Sequence, residues 1–147
     1  MDLVKRFISL TLFACSVASA QNLSLTIGNS VAGQNFAMKS AQFVFRINGC
    51  ADLSKAQVTA TAEGSVNGVR RSTPLHLVLG QPPGVYAVSQ QWGTDGKWVV
   101  GITANCGTET TAAIVPVNGN SFVREGIQML PHTPSKAEIE AAVAAAH

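Results

Sequence analysis

The stretch GVYAVSQQWGTDGKWVVGITANC, residues 84–106, carries the strongest pattern in the chain. Tyr86, Val88, Gln90 and Trp92 share one phase of a two-residue alternation. Trp98, Val100, Ile102, Ala104 and Cys106 share another. Side chains on a strand alternate between faces, so each run sets its large apolar groups on one side of a sheet. Gly93 to Lys97 joins the two runs. The expectation is a hairpin that pairs Trp92 with Trp98, Val88 with Ile102 and Tyr86 with Ala104.

The same period extends outward. Leu23, Leu25 and Ile27 form one alternating run, and Phe43, Phe45 and Ile47 another. Gln57 to Val66 is a third, followed by Asn67-Gly68, a dipeptide that suits the two positive φ angles of a type I′ turn. A two-residue loop there pairs Val66 with Val69. Counting back, Ala62 faces Thr73, Ala60 faces Leu75, Val58 faces Leu77 and Ala56 faces Leu79. Small residues on one strand meet leucines on the other, all on one face. Pro74 lacks an N–H, which places its strand at an edge or a bulge. Thr110 to Val117 is a last strand.

About seven short strands with short turns predict an all-β fold, an immunoglobulin-like antiparallel β-sandwich over residues 21–119. Residues 120–147 form a C-terminal tail. Within it Ser135-Lys136-Ala137-Glu138 has the spacing of a capping box, which predicts a helix over about 136–146. Ile139 and Val143 lie on one face of that helix.

The first 20 residues have the pattern of a secretory signal. Lys5 and Arg6 precede a short apolar run from Phe7 to Val17, and Ala18-Ser19-Ala20 is a small-residue cleavage pattern. Cys15 in a lipobox is the rival reading, which the bulky Phe13 fits poorly. Cleavage leaves about 127 residues, enough for one domain. No later segment is long and apolar enough to span a membrane as a helix. The remaining chain has eight basic and seven acidic residues, a net charge near +1 that gives no footprint for nucleic acid. Export into an oxidising compartment with Cys50 and Cys106 remaining predicts a disulfide between them.

Chemistry-bearing motifs are sparse. There is no G-x-S-x-G, C-x-x-C or H-E-x-x-H, and His76, His132 and His147 stand apart from any motif serine or cysteine. No catalytic residue is expected, and no cofactor. His76, Met129 and His132 are the metal-ligand candidates, with Met38 beside them by residue type, but no H-x-H or M-x-M spacing groups them. Trp92 and Trp98 are either a ligand platform at a hairpin tip or part of the core, and the inward phase of Trp98 favours the core. Arg70-Arg71 points to opposite faces of its strand, and Asn22-Leu23-Ser24 is a glycosylation sequon.

Pro83-Gly84-Val85-Tyr86-Ala87-Val88, Trp92, Gly96-Lys97-Trp98-Val99-Val100 and Ile102 together resemble the "P-G-x-Y … G-x-W" strand pair of secreted YtkA-like, FixH-like and CopC-like immunoglobulin-fold domains. The resemblance covers about 20 residues. It implies an exported sandwich of a kind sometimes found around copper handling, although the histidine- and methionine-rich ligand sets of CopC-like proteins have no counterpart here. The expected function is an exported, non-catalytic binding or interaction module for an unknown protein or envelope component. A periplasmic copper-binding accessory protein is the alternative.

Overall fold

Residues 22–30, 36–80 and 83–146 are described by the structure, a computed structural model. The expected signal segment, Cys15 and His147 lie outside them. The Asn67-Gly68 turn forms as its dipeptide dictates, with φ of 51° at Asn67 and 78° at Gly68. It joins β3 (Gln57–Val66) to β4 (Val69–Pro74) in the expected register, Val66 opposite Val69 and Ala62 opposite Thr73. Pro74 ends β4, which is an edge strand.

Past Pro74 the structure departs from the sequence expectation. Leu75 N–H still donates to Ala60 O at 2.9 Å. The chain then crosses to the opposite sheet, where Val78–Leu79 forms the two-residue strand β5. Val58–Leu77 and Ala56–Leu79 are therefore not ladder pairs. Gln91 holds the crossing: its side-chain amide accepts from His76 N–H and donates to His76 C=O, both at 2.9 Å.

The second correction concerns residues 84–106. Val85–Val88 (β6) and Lys97–Cys106 (β7) are strands, but they belong to different sheets and do not form a hairpin. One sheet has the order β1-β2-β6-β5, with β1 at Ser24–Gly28 and β2 at Phe43–Asn48. The other runs β10-β8-β7-β3-β4, with β8 at Glu109–Asn118 and β10 at Gln128–Leu130, while β9 (Ser121–Phe122) also pairs with β8. Alternation reveals which face of a strand is buried, not which sheet the strand joins. Both runs turn their apolar face to one core, from opposite sides.

All pairs are antiparallel. Assigned by position in the immunoglobulin sandwich, β1, β2, β6 and β5 take the places A, B, E and D, and β8, β7, β3 and β4 take G, F, C and C′. Ten strands are described where about seven are expected: the expected fourth strand is divided into β4 and β5, and β9 and β10 carry the sheet beyond residue 119.

Phe43, Phe45 and Ile47 of β2 pack against Trp98, Val100 and Ile102 of β7, and Ala113, Val115 and Val117 of β8 complete the layer. Trp98 lies over Gly64 so closely that a Cβ there would stand 2.4 Å from the indole. Two ties close the sandwich at its poles. The Cys50–Cys106 disulfide joins the end of β7 to the loop after β2, with Cα atoms 5.8 Å apart. At the other pole buried Gln42 donates both amide hydrogens, to Gly119 O at 2.9 Å and Ser121 O at 2.7 Å.

The tail helix α2 (Lys136–Ala145) docks on the outer face of the larger sheet. Ile139, Ala142 and Val143 are buried there with Val99 and Ile114. Met38, in the short helix α1 (Phe36–Lys39), packs on the outer face of the other sheet against Val85 and Ala87. No described helix is long and apolar enough to cross a membrane. The disulfide is a feature of folds outside the reducing cytosol.

Two substitutions test this packing. Gly64→Ala should force the Trp98 ring aside and cost ~1–3 kcal/mol in urea unfolding, with a change in near-UV circular dichroism. Cys50→Ser should cost ~2–5 kcal/mol by opening a long loop. An unchanged unfolding midpoint in either variant contradicts the corresponding contact.

Candidate functional site

Three regions carry the residues singled out by the sequence, and a fourth emerges from the fold. The first is the pole with the disulfide, an open depression of about 800 Å³ lined by Cys50, Asp52, Lys55, Asn105 and Glu109. Asp52 is committed to structure there. Its carboxylate caps the helical turn Leu53–Lys55 by accepting from the Ser54 N–H and hydroxyl. The cysteines are bonded to each other, so no thiolate is available as nucleophile or ligand.

The second region is the tryptophan pair. Trp92 and Trp98 are 8% and 6% exposed and belong to the central core. The Trp98 indole N–H donates to Asp95 O at 2.8 Å, which fixes the ring edge where the chain crosses between sheets. Neither ring offers the open face that a sugar or peptide platform needs.

The third is the histidine and methionine set. His76 follows β4 and Met129 lies on β10, at opposite edges of the larger sheet. Four strand spacings of ~4.8 Å put those edges roughly 19 Å apart, so the two cannot share an ion. Met38 is buried on the other sheet. His132 Nε2 meets Glu138 Oε1 at 2.9 Å. Among the described residues no three His, Cys, Asp or Glu side chains cluster as a metal site.

That His132–Glu138 contact brings a histidine to an acid, with Ser135 beside them. Their bonding is that of a helix cap. Ser135 Oγ accepts from the Glu138 N–H at 3.1 Å, and the Glu138 carboxylate accepts from the Ser135 N–H at 3.0 Å. The imidazole faces the carboxylate, while the serine hydroxyl oxygen is taken up as acceptor for the Glu138 N–H.

The fourth region is one that sequence reasoning did not single out. β4 covers only the Thr61–Val66 half of β3. In the antiparallel ladder Ala60 turns its C=O toward Leu75, so Val58, two residues away, turns its own N–H and C=O to the same open side. Among the described residues no backbone group answers Val58 there. Beside this edge lies a groove of about 540 Å³, lined by Val58, Leu75, His76, Leu77, Leu79 and Tyr86. Leu79 stands opposite Tyr86 at the edge of its sheet and is 66% exposed. The signal was present in the sequence as leucines at 75, 77 and 79, which the hairpin register had assigned to a continuous ladder.

No protein-family model, curated protein or solved structure matches this chain.

The helix cap yields a pH dependence. Hydrogen bonds from the Ser135 backbone first, then from the His132 side chain and from Ser135 Oγ, hold the Glu138 carboxyl below the ordinary glutamate pKa. A lowered folded-state pKa adds stability that is present above the ordinary glutamate range and is lost as pH falls through the lowered value. The protection factor of the Ile139 amide, which bonds Ser135 O at 3.0 Å, should therefore drop in acid. Glu138→Gln should already be lower at neutral pH and respond less to acid. Identical protection in the two proteins at neutral pH would contradict a charged cap.

Proposed function

We propose that this chain is an exported, non-catalytic interaction module whose binding edge is the open side of β3 and the adjoining groove. The observation that carries the reading is the Val58 edge: a backbone N–H and C=O that no backbone group among the described residues answers, beside exposed leucine. Such an edge is complementary to the backbone of another extended polypeptide, which would add as a strand. The groove lining contains no carboxylate, lysine or arginine. Charge complementarity thus favours an uncharged segment with apolar side chains at alternate positions, one of which would enter between Leu77 and Tyr86. The expected signal segment, the disulfide and the resemblance to secreted sandwich domains support export.

The probe is a fluorescein-labelled nonapeptide with valine at alternate positions, threonine between them and lysine at both ends, followed by fluorescence polarisation. Saturable binding is expected, weakened by about tenfold or more in Leu77→Lys and in Val58→Pro. The proline removes an N–H that faces the groove and leaves the β7 ladder intact. Absence of binding, or equal binding by wild type and both variants, overturns the proposal.

A further inference from the structure

We infer that residues 75–79 form a strand with two alternative seats, one in each sheet, and that moving between them closes or opens the β3 edge. In the observed seat Val78 and Leu79 pair with Ala87 and Tyr86 of β6. In the other seat β4 would run on without a break, Leu77 bonding Val58 and Leu79 bonding Ala56. The inference stands on geometry within this chain and does not depend on whether a partner docks.

Four observations support the second seat. The register is continuous, because the pairs Val66–Val69 and Ala62–Thr73 step by two residues to Ala60–Leu75 and Val58–Leu77. The first bond of that extension already exists, from Leu75 N–H to Ala60 O at 2.9 Å. Pro74 does not block it: opposite Thr61 it occupies a non-hydrogen-bonded position, so its missing N–H belongs to the outer edge. The faces also agree. Leu75, Leu77 and Leu79 look into the sandwich from either sheet, while His76 and Val78 look out.

The connection is long enough. Leu79 and Val85 lie near the disulfide pole, since Arg46 of β2 pairs with Val85, and Ala56 lies at that pole as well. Six Cα steps at ~3.3 Å reach roughly 20 Å, against a sheet separation of ~10 Å. Each seat loses what the other supplies. The observed one keeps the β6 pairs, Gly80 N–H to Val85 O at 2.7 Å, and the two Gln91 bonds to His76. The alternative answers Val58 and covers the inner face at Ala56. Gln91 is the latch on the observed seat.

Site-resolved hydrogen exchange on the intact disulfide-bonded protein reads both seats at once. Val58 N–H reports the alternative seat, and Ala87 N–H, which faces β5, reports the observed one. With the seats exchanging, Gln91→Ala should raise Val58 protection and lower that of Ala87 by comparable factors, while Val100 and Ile102 in the core stay unchanged. Adding Val58→Pro to Gln91→Ala should restore Ala87 protection, because the competing seat then lacks its central donor. If Ala87 loses protection in Gln91→Ala with no gain at Val58, or if neither amide changes, the switch does not exist. Should Gln91→Ala fail to fold, wild type against Val58→Pro alone decides: a rise in Ala87 protection supports the switch and an unchanged value refutes it.

Discussion

The Cys50–Cys106 bond joins the strands around which both sheets are arranged. β2 is interior to one sheet, β7 is interior to the other, and the bond ties their ends at a single pole. Phe43, Phe45 and Ile47 of β2 share one core with Trp98, Val100 and Ile102 of β7, so a slide of either strand would disrupt that packing. The loop it closes spans 56 residues, a constraint on the unfolded chain of ~4 kcal/mol in the chain-entropy picture. At the far pole the same task falls to Gln42. Its amide spans the sheets to two carbonyls of the β8–β9 turn, a tie that water would weaken were Gln42 not buried.

Local chemistry made much of this fold readable. Asn67-Gly68 specified its turn because few dipeptides tolerate two positive φ angles, and the register counted from that turn holds as far as Pro74. Ser135 and Glu138 specified the start of α2 for a similar reason, since each side chain satisfies a backbone N–H. What stayed hidden was which strand meets which. The pairing of β7 with β3 depends on contacts far apart in sequence, and the inward phases of Tyr86 and Ile102 are the same whether they share a sheet or face across one. Gly107-Thr108, the turn that makes β7 and β8 neighbours, is a weaker signal than Asn-Gly. β9 and β10 are two and three residues long, too short for a period to register.

The candidate site was legible only in part, again for physical reasons. The sequence supplied residue types for a metal or a platform, but type without position says little. Trp92 and Trp98 went to the core because a large apolar ring gains more from burial than from exposure at a turn. His76 and Met129 went to opposite edges. Both outer faces also proved less open than a seven-stranded sandwich implies. Ile139 reaches the sheet over Gly101, where a Cβ would stand only 3.4 Å from its Cδ1, and Met38 covers the other face. Such cover accounts for the low charge: with both faces partly buried, 12% charged residues leave fewer exposed positions without a polar group than the composition suggests.

Attention therefore falls on the edges, and they are not equivalent. β10 is short, and the β4 edge carries Arg70 and Arg71, charges that discourage pairing with another chain. The Ala56–Ala60 side of β3 has neither protection. It is also where local pattern and tertiary seat disagree, since the leucines at 75 and 77 match β3 while β5 sits in the other sheet. Folding favours sequences in which such levels agree, and a protein departs from agreement mainly where function asks for it. A strand held across the sandwich by its β6 pairs and by the Gln91 amide, beside an open strand edge, is the place in this fold where those levels disagree. The stacking of half-buried Tyr86 on Phe45, with ring centroids 5.2 Å apart, gives the groove a floor that does not depend on which seat the leucines take. The edge can thus change its occupant while the core beneath it stays in place.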